Sequence, residues 1–516
     1  MKRSIGRVAL LLAGAAFALT APANAQRHDE HTAKSDFAPE RVGAQFMVME
    51  TTANEAAKAA FLRGLALLHN FEYAFAAKEF RKSQKADPDF VMAYWGEAMT
   101  HNHPLWAEQD RDEARAIFSR LGADPKARAA KARSAKERQW LAAIETLYAE
   151  TGTKIDRDLA YLEAMQAMLD TYPEDIDVRA FTGLATLGSS HGGRQIPIYM
   201  KAAGLLEPGF MTHPMHPGIL HYLIHSYDDP THAPLGERMA QRYATVAPDA
   251  GHAQHMVSHI YLALADWEAT ELANVNASKV VNLQRAAQGR DPTYCGHYNE
   301  WLVYALLQQG KDAGELIKKC LVQIGEVAAK AKADGTGSVP GSWSAARVAL
   351  FLGVDEGEWL DPVALPASND TLYTRFLQAH GALLRWHSAD AGKAMGALVQ
   401  MKSLYAEMLA LNGPSEESPY GAWIERAIER GDALIEIAEG NSASGLAALE
   451  KAAAAELALP IVFGPPMIFK PSYEILGEMH LAKGRRAEAA TAFEKSLKLA
   501  PGRRLSLAGL KAATNP

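Results

Sequence analysis

The sequence has few cysteines, no long apolar run after its first residues, and no strong excess of charge. Cys295 and Cys320 are the only cysteines among 516 residues, so no disulfide framework carries the fold. The sequence still allows a single bridge between these two cysteines. Beyond residue 25 no apolar stretch reaches the ~20 residues that span a bilayer, so we expect no transmembrane segment. A net charge of −7 with 22% charged residues argues against nucleic acid as a partner.

The N-terminal residues have the pattern of a cleavable signal peptide, which we assign to 1–25. Three basic residues precede an apolar stretch at 8–19, and small residues follow at Ala23 and Ala25. We expect cleavage after Ala25 and a periplasmic or secreted protein. Residues 26–56 are interpreted as a flexible N-terminal segment.

Two segments near the ends of the chain share one spacing of small and bulky residues. Alanine, phenylalanine and proline follow a glycine after 12, 16 and 24 positions, both in Gly64, Ala76, Phe80 and Pro88 and in Gly477, Ala489, Phe493 and Pro501. Small residues let two helices approach closely, and proline ends the second helix. Because one such hairpin cannot bury its apolar face, further repeats must stack on it.

These segments, 57–90 and 471–503, resemble the tetratricopeptide repeat superfamily. The blocks 93–106, 252–267 and 463–478 also resemble a bacterial family of exported, poorly characterised tetratricopeptide proteins. The helical patterns and the resemblance predict an all-α fold, a right-handed solenoid of antiparallel helix pairs with degenerate central repeats. The resemblance further implies binding of a protein or peptide in the concave groove, and it brings no catalytic residues.

The repeat pattern divides the mature chain into four regions. N-terminal repeats are expected at 57–190, histidine-rich central repeats at 191–310 and degenerate helical repeats at 311–458. A proline-rich connector and a C-terminal repeat follow at 459–516.

Histidine is concentrated in the central repeats, where eight of the 18 histidines lie between 213 and 259. His221 and His225 form one i,i+4 pair, and His255 and His259 form a second pair 34 residues later, which is the tetratricopeptide period. Residues four apart share a helix face, and packed helices lie ~8–10 Å apart, so four imidazoles can approach one point. The pattern predicts a transition metal site for zinc, copper or iron.

Three functions stay open at this level. The first is an exported binding module whose histidine-lined groove holds a transition metal; the second is a metal-independent scaffold for an envelope protein or peptide. The third is a metal-dependent hydrolase or oxygenase with a small-molecule substrate, although neither histidine pair is H-E-x-x-H and no catalytic residue is assigned. Additional candidate ligands or groove residues are His216, His252, His297 and Glu300. Two sets of three histidines match coupled dicopper proteins in ligand number only: His216, His221, His225 and His252, His255, His259.

Overall fold

A computed structural model of the protein describes residues 37–412, 421–460 and 462–515, so the predicted signal peptide lies outside the described residues. The first fourteen α-helices of this part are α1 (Glu55–His69), α2 (Tyr73–Ala86), α3 (Val91–Met99), α4 (Arg111–Leu121), α5 (Pro125–Ala129), α6 (Ala135–Leu147), α7 (Lys154–Thr171), α8 (Ile176–Gly188), α9 (Ile196–Thr212), α10 (Pro217–Tyr227), α11 (Ala233–Val246), α12 (Gly251–Ala263), α13 (Trp267–Ala287) and α14 (His297–Gln308).

Nine further helices complete the described chain. They are α15 (Gly314–Ala333), α16 (Ser342–Glu356), α17 (Leu372–Trp386), α18 (Ala391–Asn412), α19 (Gly421–Ala438), α20 (Ser442–Glu456), α21 (Ser472–Ala482), α22 (Arg486–Leu499) and α23 (Arg504–Thr514). Two short antiparallel strands, β1 (Asn102–His103) and β2 (Glu108–Gln109), pair in the loop before α4. Within the described ranges, none of the helices combines the length and apolarity that a membrane crossing needs.

Successive helices pack against each other as hairpins, among them α1 with α2, α12 with α13 and α21 with α22. This arrangement confirms the predicted fold class, an all-α solenoid of antiparallel helix pairs. The phenylalanine of each end repeat lies against a glycine of the following helix. A Cβ on Gly96 would lie 2.3 Å from the Phe80 ring, and one on Gly509 would lie 2.3 Å from the Phe493 ring. Neither site has room for a larger residue unless the ring moves.

The two helices that carry the histidine pairs lie inside the molecule. Every residue of α10 is buried, and so are the first ten residues of α12. Helices α1, α8, α9, α11 and α12 all pack against α10. The described part of segment 26–56 also packs inward, since Val42 is fully buried and its carbonyl accepts from Asn70 Nδ2 at 2.8 Å. The inner face of the central repeats is therefore covered by other parts of the chain.

The two cysteines form a disulfide bond between Cys295 and Cys320. It joins the loop before α14 to α15, and the two Cα atoms lie 4.8 Å apart. This bond restrains the start of α14, whose first residue is His297.

Candidate metal centre

Three imidazoles meet where α10 approaches the first turn of α12. His221 and His225 come from one face of α10, and His252 is the second residue of α12. The Nε2 atoms of His225 and His252 lie 3.1 and 3.2 Å from Nε2 of His221. Each of the three residues offers a ligand atom within 4.8 Å of the others. We call these residues the first histidine triad.

A second group of three imidazoles lies further along α12. His255 and His259 come from α12, and His297 begins α14. The Nε2 atoms of His255 and His259 lie 3.1 Å apart, and the His297 ring centre lies 4.5 Å from that of His255. These residues also offer ligand atoms within 4.8 Å of one another. They form the second histidine triad.

The two triads are neighbours and not separate sites. Ring centres of His225 and His259 lie 5.7 Å apart, and those of His252 and His255 lie 6.3 Å apart. Within the first triad, the ring centres of bonded neighbours lie 4.8 and 5.0 Å apart. The separation between the triads is therefore only slightly larger than the separation within one of them, so the six imidazoles form one cluster.

In the second triad, hydrogen bonds fix where the imidazole protons lie. His255 Nδ1 lies 2.7 Å from Asn274 Oδ1, while the Asn274 amide nitrogen donates to the Thr270 carbonyl. His259 Nδ1 lies 2.5 Å from Asp228 Oδ2. Because an amide oxygen and a carboxylate only accept, both Nδ1 atoms must donate, and in the neutral rings both Nε2 atoms carry a lone pair. These lone pairs face each other across 3.1 Å.

In the first triad, His221 is oriented in the same way. Its Nδ1 donates to the backbone carbonyl of His69 at 2.7 Å, so its Nε2 also carries a lone pair. That lone pair can accept one N–H, yet the Nε2 atoms of both His225 and His252 approach it. His225 Nδ1 is buried and has no hydrogen-bond partner within the described chain.

These distances match shared coordination of an ion. Two nitrogens that are each ~2.0–2.1 Å from one metal lie about 3.1 to 3.4 Å apart at angles of roughly 100 to 110°. Histidines that bind metals also usually donate the other N–H to a carboxylate or carbonyl, as His221, His255 and His259 do here. Each triad could therefore hold one transition metal ion through neutral imidazole nitrogens.

Burial keeps these imidazoles in the form that binds metals. Loss of solvation lowers the pKa of His221 to about 3, although its hydrogen bond to the His69 carbonyl opposes this change. Burial, together with the charges of neighbouring histidines, also lowers the pKa of His225 and His255 well below the usual value. At neutral pH the three rings are neutral, and an unprotonated nitrogen is the ligand form.

The turn after α1 builds one wall of the first triad. It supplies the His69 carbonyl and the Phe71 ring, whose centre lies 4.3 Å from that of His221. Phe71 has φ +56°, a left-handed conformation that bulky residues rarely adopt. Next to it, Glu72 Oε1 accepts from the backbone N–H of His252 at 3.3 Å, and burial raises the pKa of Glu72 to about 7.

Aromatic side chains also enclose the second triad. The Trp301 ring centre lies 4.4 Å from that of His259 and 4.7 Å from that of His255. Phe463 lies 6.3 Å from His259 and is 38% exposed, and His297 is partly exposed as well. The cluster is thus shielded from bulk water on most sides and is closest to solvent near Phe463 and His297.

A third group of metal-binding residue types lies beside the first triad but has a different bonding pattern. Asp177 Oδ1 lies 3.4 Å from His69 Nε2 and 3.3 Å from His216 Nε2. His216 caps α10, and its Nδ1 accepts from the Ile219 N–H at 3.3 Å. The proton of neutral His216 is therefore on Nε2, which donates to Asp177 and has no lone pair for a metal. His69 Nδ1 is 2.9 Å from the Tyr222 hydroxyl. We call this group the Asp177 cluster.

The Asp177 cluster contains its own anion. Burial raises the pKa of Asp177, but hydrogen bonds from His216 and His69 outweigh it, so the net pKa is lowered and the carboxyl is ionised. Burial lowers the pKa of His69 to about 4. The carboxylate and its imidazole partners form a hydrogen-bonded anchor that holds α8, α10 and the end of α1 together.

The structure divides the predicted site residues among several places. The two predicted pairs fall into different triads, and His252 and His297, which the sequence suggested as additional ligands, complete them. His216 lies in the Asp177 cluster. Glu300 bonds to Arg347 Nε at 2.5 Å, and Arg347 also donates to the Pro465 carbonyl. Glu300 therefore belongs to an ion pair and to neither triad. Metal binding by these residues stays a prediction.

Several residues around the triads escaped the sequence analysis: Phe71, Asp228, Asn274 and Trp301. Asp228 directly follows the helix that carries the first pair, yet it orients His259 of the second pair. A possible signal is the offset of 31 positions between Asp228 and His259, equal to that between His221 and His252. Asn274, Phe71 and Trp301 have no comparable signal in the sequence.

Of the comparisons with known proteins, only the comparison with solved structures finds chains that are similar to this one. No protein-family model matches the chain, and no curated protein matches it. A human IFIT1 dimer with m7Gppp-AAAA is similar at 12% identity and a TM-score of 0.31, over 92% of this chain and 94% of that one. A monomeric IFIT1 mutant with Gppp-AAAA is similar at 11% identity and a TM-score of 0.31, over 92% and 93%. Similarity at this level assigns no ligand to the present chain.

Proposed function

We propose that this protein is an exported tetratricopeptide-like solenoid that binds two transition metal ions, one on each histidine triad. The observation that carries the proposal is the contact between Nε2 of His255 and Nε2 of His259 at 3.1 Å. Both rings already donate their Nδ1 proton to an oxygen. Two lone pairs at this distance repel each other unless a cation lies between them.

A proton between the two nitrogens would be an alternative to a metal ion. It would make one ring an imidazolium, which burial of His255 disfavours but which His259 could carry beside the Asp228 carboxylate. One such proton would explain a single Nε2 contact, whereas His221 alone makes two, to His225 and to His252. A metal ion gains several ligand bonds in the same space, which compensates for loss of its hydration. Metal binding therefore accounts for the geometry better than protonation does.

The donor set narrows the choice of ion. Imidazole nitrogens suit zinc, copper, iron and nickel, whereas magnesium and calcium need oxygen ligands. Three protein ligands also leave a coordination position open on a four-coordinate ion, as in catalytic sites and unlike structural ones. We expect each triad to bind an ion that can still accept an exogenous ligand.

The burial of the histidines argues against the metal-independent scaffold, in which the histidines would contact a peptide directly. His221 and His255 are fully buried, and other parts of the chain cover the helices that carry them. A peptide could reach them only if α1 or its turn moved away. A peptide surface elsewhere on the solenoid is compatible with the metal sites.

Export is part of the proposal and rests on two features. The sequence pattern of residues 1–25 is that of a signal peptide. The Cys295–Cys320 disulfide supports it, since such bonds persist mainly in oxidising compartments.

Metal analysis of the mature chain, purified without a histidine tag, tests the proposal. After growth with added zinc, copper or iron, we expect about two ions per chain from two four-coordinate sites. Less than about 0.2 ions per chain after supplementation with each metal would overturn the proposal, since a formed site of this type retains its ion through purification.

Single variants then separate the two sites. His221→Ala and His255→Ala should each lose about one ion of the two, because each removes the central ligand of one triad. His213→Ala is the matched control, since the His213 side chain hydrogen-bonds to Thr212 and belongs to neither triad nor to the Asp177 cluster. Circular dichroism checks that each variant remains helical.

A further inference from the structure

We propose that the two histidine triads hold a pair of cuprous ions that bind dioxygen between them. The inference rests on the proposed function and adds the identity of the metal and its ligand. All six candidate ligands are imidazoles, and neither triad contains a carboxylate ligand.

The acidic groups nearest the triads offer little compensation for a large positive charge. Asp228 accepts from His259 and contributes one negative charge. Asp229 is already bonded to Arg194 at 2.9 Å and to His232 at 2.8 Å. Two divalent ions would bring four positive charges into a buried site beside two carboxyl groups, Asp228 and Glu72, which already accept from His259 Nδ1 and from the His252 backbone N–H. Uncompensated buried charge is costly, so the site favours ions of lower charge.

Monovalent copper fits both the charge and the donors. Two cuprous ions bring two positive charges, half the charge of a zinc pair, and imidazole is a suitable ligand for copper. Three histidines on each ion leave one position open for another ligand. The triads are adjacent, with rings of His225 and His259 only 5.7 Å apart, so one small molecule can reach both ions.

Dioxygen satisfies the charge requirement of this site. Each cuprous ion gives one electron to the molecule, so both ions become cupric and dioxygen is reduced to the peroxide level. No proton is needed, the two oxygen atoms stay bonded to each other, and release reverses the electron transfer. The two positive charges gained by the metals are cancelled by the two negative charges on the ligand. The total charge of the buried site therefore does not change.

The surroundings favour a small, uncharged ligand. Phe71 and Trp301 cover the triads, and Trp106 lies 6.4 Å from His252. These rings keep out water, which would protonate the reduced ligand and release it as hydrogen peroxide. The partly exposed Phe463 and His297 mark the side where a diatomic molecule has the shortest path to the metals.

The experiment uses the mature full-length chain, stripped of metal and loaded with cuprous ion without oxygen. Oxygen is then added while uptake, absorbance and the paramagnetic resonance of cupric ion are followed. We expect uptake of one dioxygen for every two coppers and a new charge-transfer absorption that disappears under vacuum. We also expect almost no cupric resonance, because two adjacent cupric spins linked by one ligand couple.

The control variants are His255→Ala and His297→Ala, which leave the first triad intact. Each should bind about one copper and show neither reversible uptake nor the new absorption, and oxidation should give a full cupric resonance. The zinc-loaded wild-type chain should take up no dioxygen.

The outcomes separate this inference from the proposed function. If the chain binds no metal, the proposed function fails and the inference fails with it. If the chain binds two ions but the cuprous form takes up no dioxygen, the inference is overturned while the proposed function stands. A full cupric resonance in the oxygenated wild-type chain would also overturn the inference, because it would show two independent sites.

Discussion

The histidine triads and the Asp177 cluster are built from the same kinds of residue and lie side by side on α10. They differ in the direction of their protons. In the triads, His221, His255 and His259 donate through Nδ1 and turn the Nε2 lone pair inward. In the Asp177 cluster, His216 accepts at Nδ1 and points its Nε2 proton inward, at a carboxylate. The bond made by the outer nitrogen decides whether a group of buried imidazoles needs a cation.

The same comparison holds for charge. Asp177 provides an anion inside its own cluster, and the Nε2 protons of two imidazoles point at one of its oxygen atoms. The triads have lone pairs at their centre and no anion among their ligands. Proximity of histidine and acidic residues is therefore a weaker sign of a metal site than the hydrogen bonds behind the ligands.

The largest expected effect is that of metal on stability. With free metal at a thousandfold excess over Kd, each occupied site adds about 4 kcal/mol to the free energy of unfolding. A chelator should remove this gain from the wild-type chain and should change little in the His221→Ala, His255→Ala double variant. Thermal or denaturant unfolding with and without metal measures it. Equal stability of the wild type with and without metal would contradict the proposal that the histidine triads need a cation.

Removal of the anchoring carboxylate should have the next largest effect. Asp177→Ala leaves two buried imidazole N–H groups without their shared acceptor, and we expect a loss of about 3 kcal/mol, since each unsatisfied buried donor costs about 1 to 3 kcal/mol. The loss should be the same with and without metal, and the number of bound ions should not change. Denaturant unfolding and metal analysis of the same preparation provide the check. A variant that lost one metal ion would show that the Asp177 cluster is itself a metal site.

A smaller effect is expected from the carboxylate that orients His259. Asp228→Asn should weaken metal binding by the second triad about tenfold to a hundredfold, the usual range for residues that support a ligand. Binding by the first triad should be unchanged. Asp229→Asn is the neighbouring control, because Asp229 bonds to Arg194 and His232 and to no ligand. Competition titration with a chelator resolves the two affinities; equal effects of both variants would count against a role of Asp228.

The smallest effect is expected from a substitution that adds a negative charge next to His255 Nδ1. Asn274→Asp should keep the acceptor for Nδ1 and supply a second anion, besides Asp228, next to the ligands of the second triad. We expect zinc affinity at that triad to rise about tenfold or less, below the range for loss of a supporting residue. Asn274→Leu removes the acceptor and should lower the affinity. Isothermal titration of both variants with zinc measures the difference, and a lower affinity in Asn274→Asp would refute the charge argument.

The repeat architecture could be predicted from the sequence because it depends on local spacing. Glycine against phenylalanine at fixed intervals is a requirement of closely packed helices, and Phe80 and Phe493 do contact Gly96 and Gly509. The helical period likewise places His221 with His225 and His255 with His259, since residues four apart share one face. Their Nε2 atoms lie 3.1 Å apart in both pairs.

The sequence alone thus determined the helix pairs and the histidine pairs, whose geometry follows from contacts a few residues apart. Only the tertiary structure decided how the pairs combine. His252 and His255 are three residues apart on α12, only about 60° apart around the helix axis, yet His252 lies against His221 of α10 and His255 against His297 of α14, so they belong to different triads. Packing of the chain also places Asn274 and the His69 carbonyl where they accept from the Nδ1 atoms of His255 and His221, and it pairs Glu300 with Arg347. Every residue has a backbone carbonyl, so the sequence does not show which carbonyl will accept from a ligand. A buried carboxylate likewise pairs with whichever cation the fold brings near it.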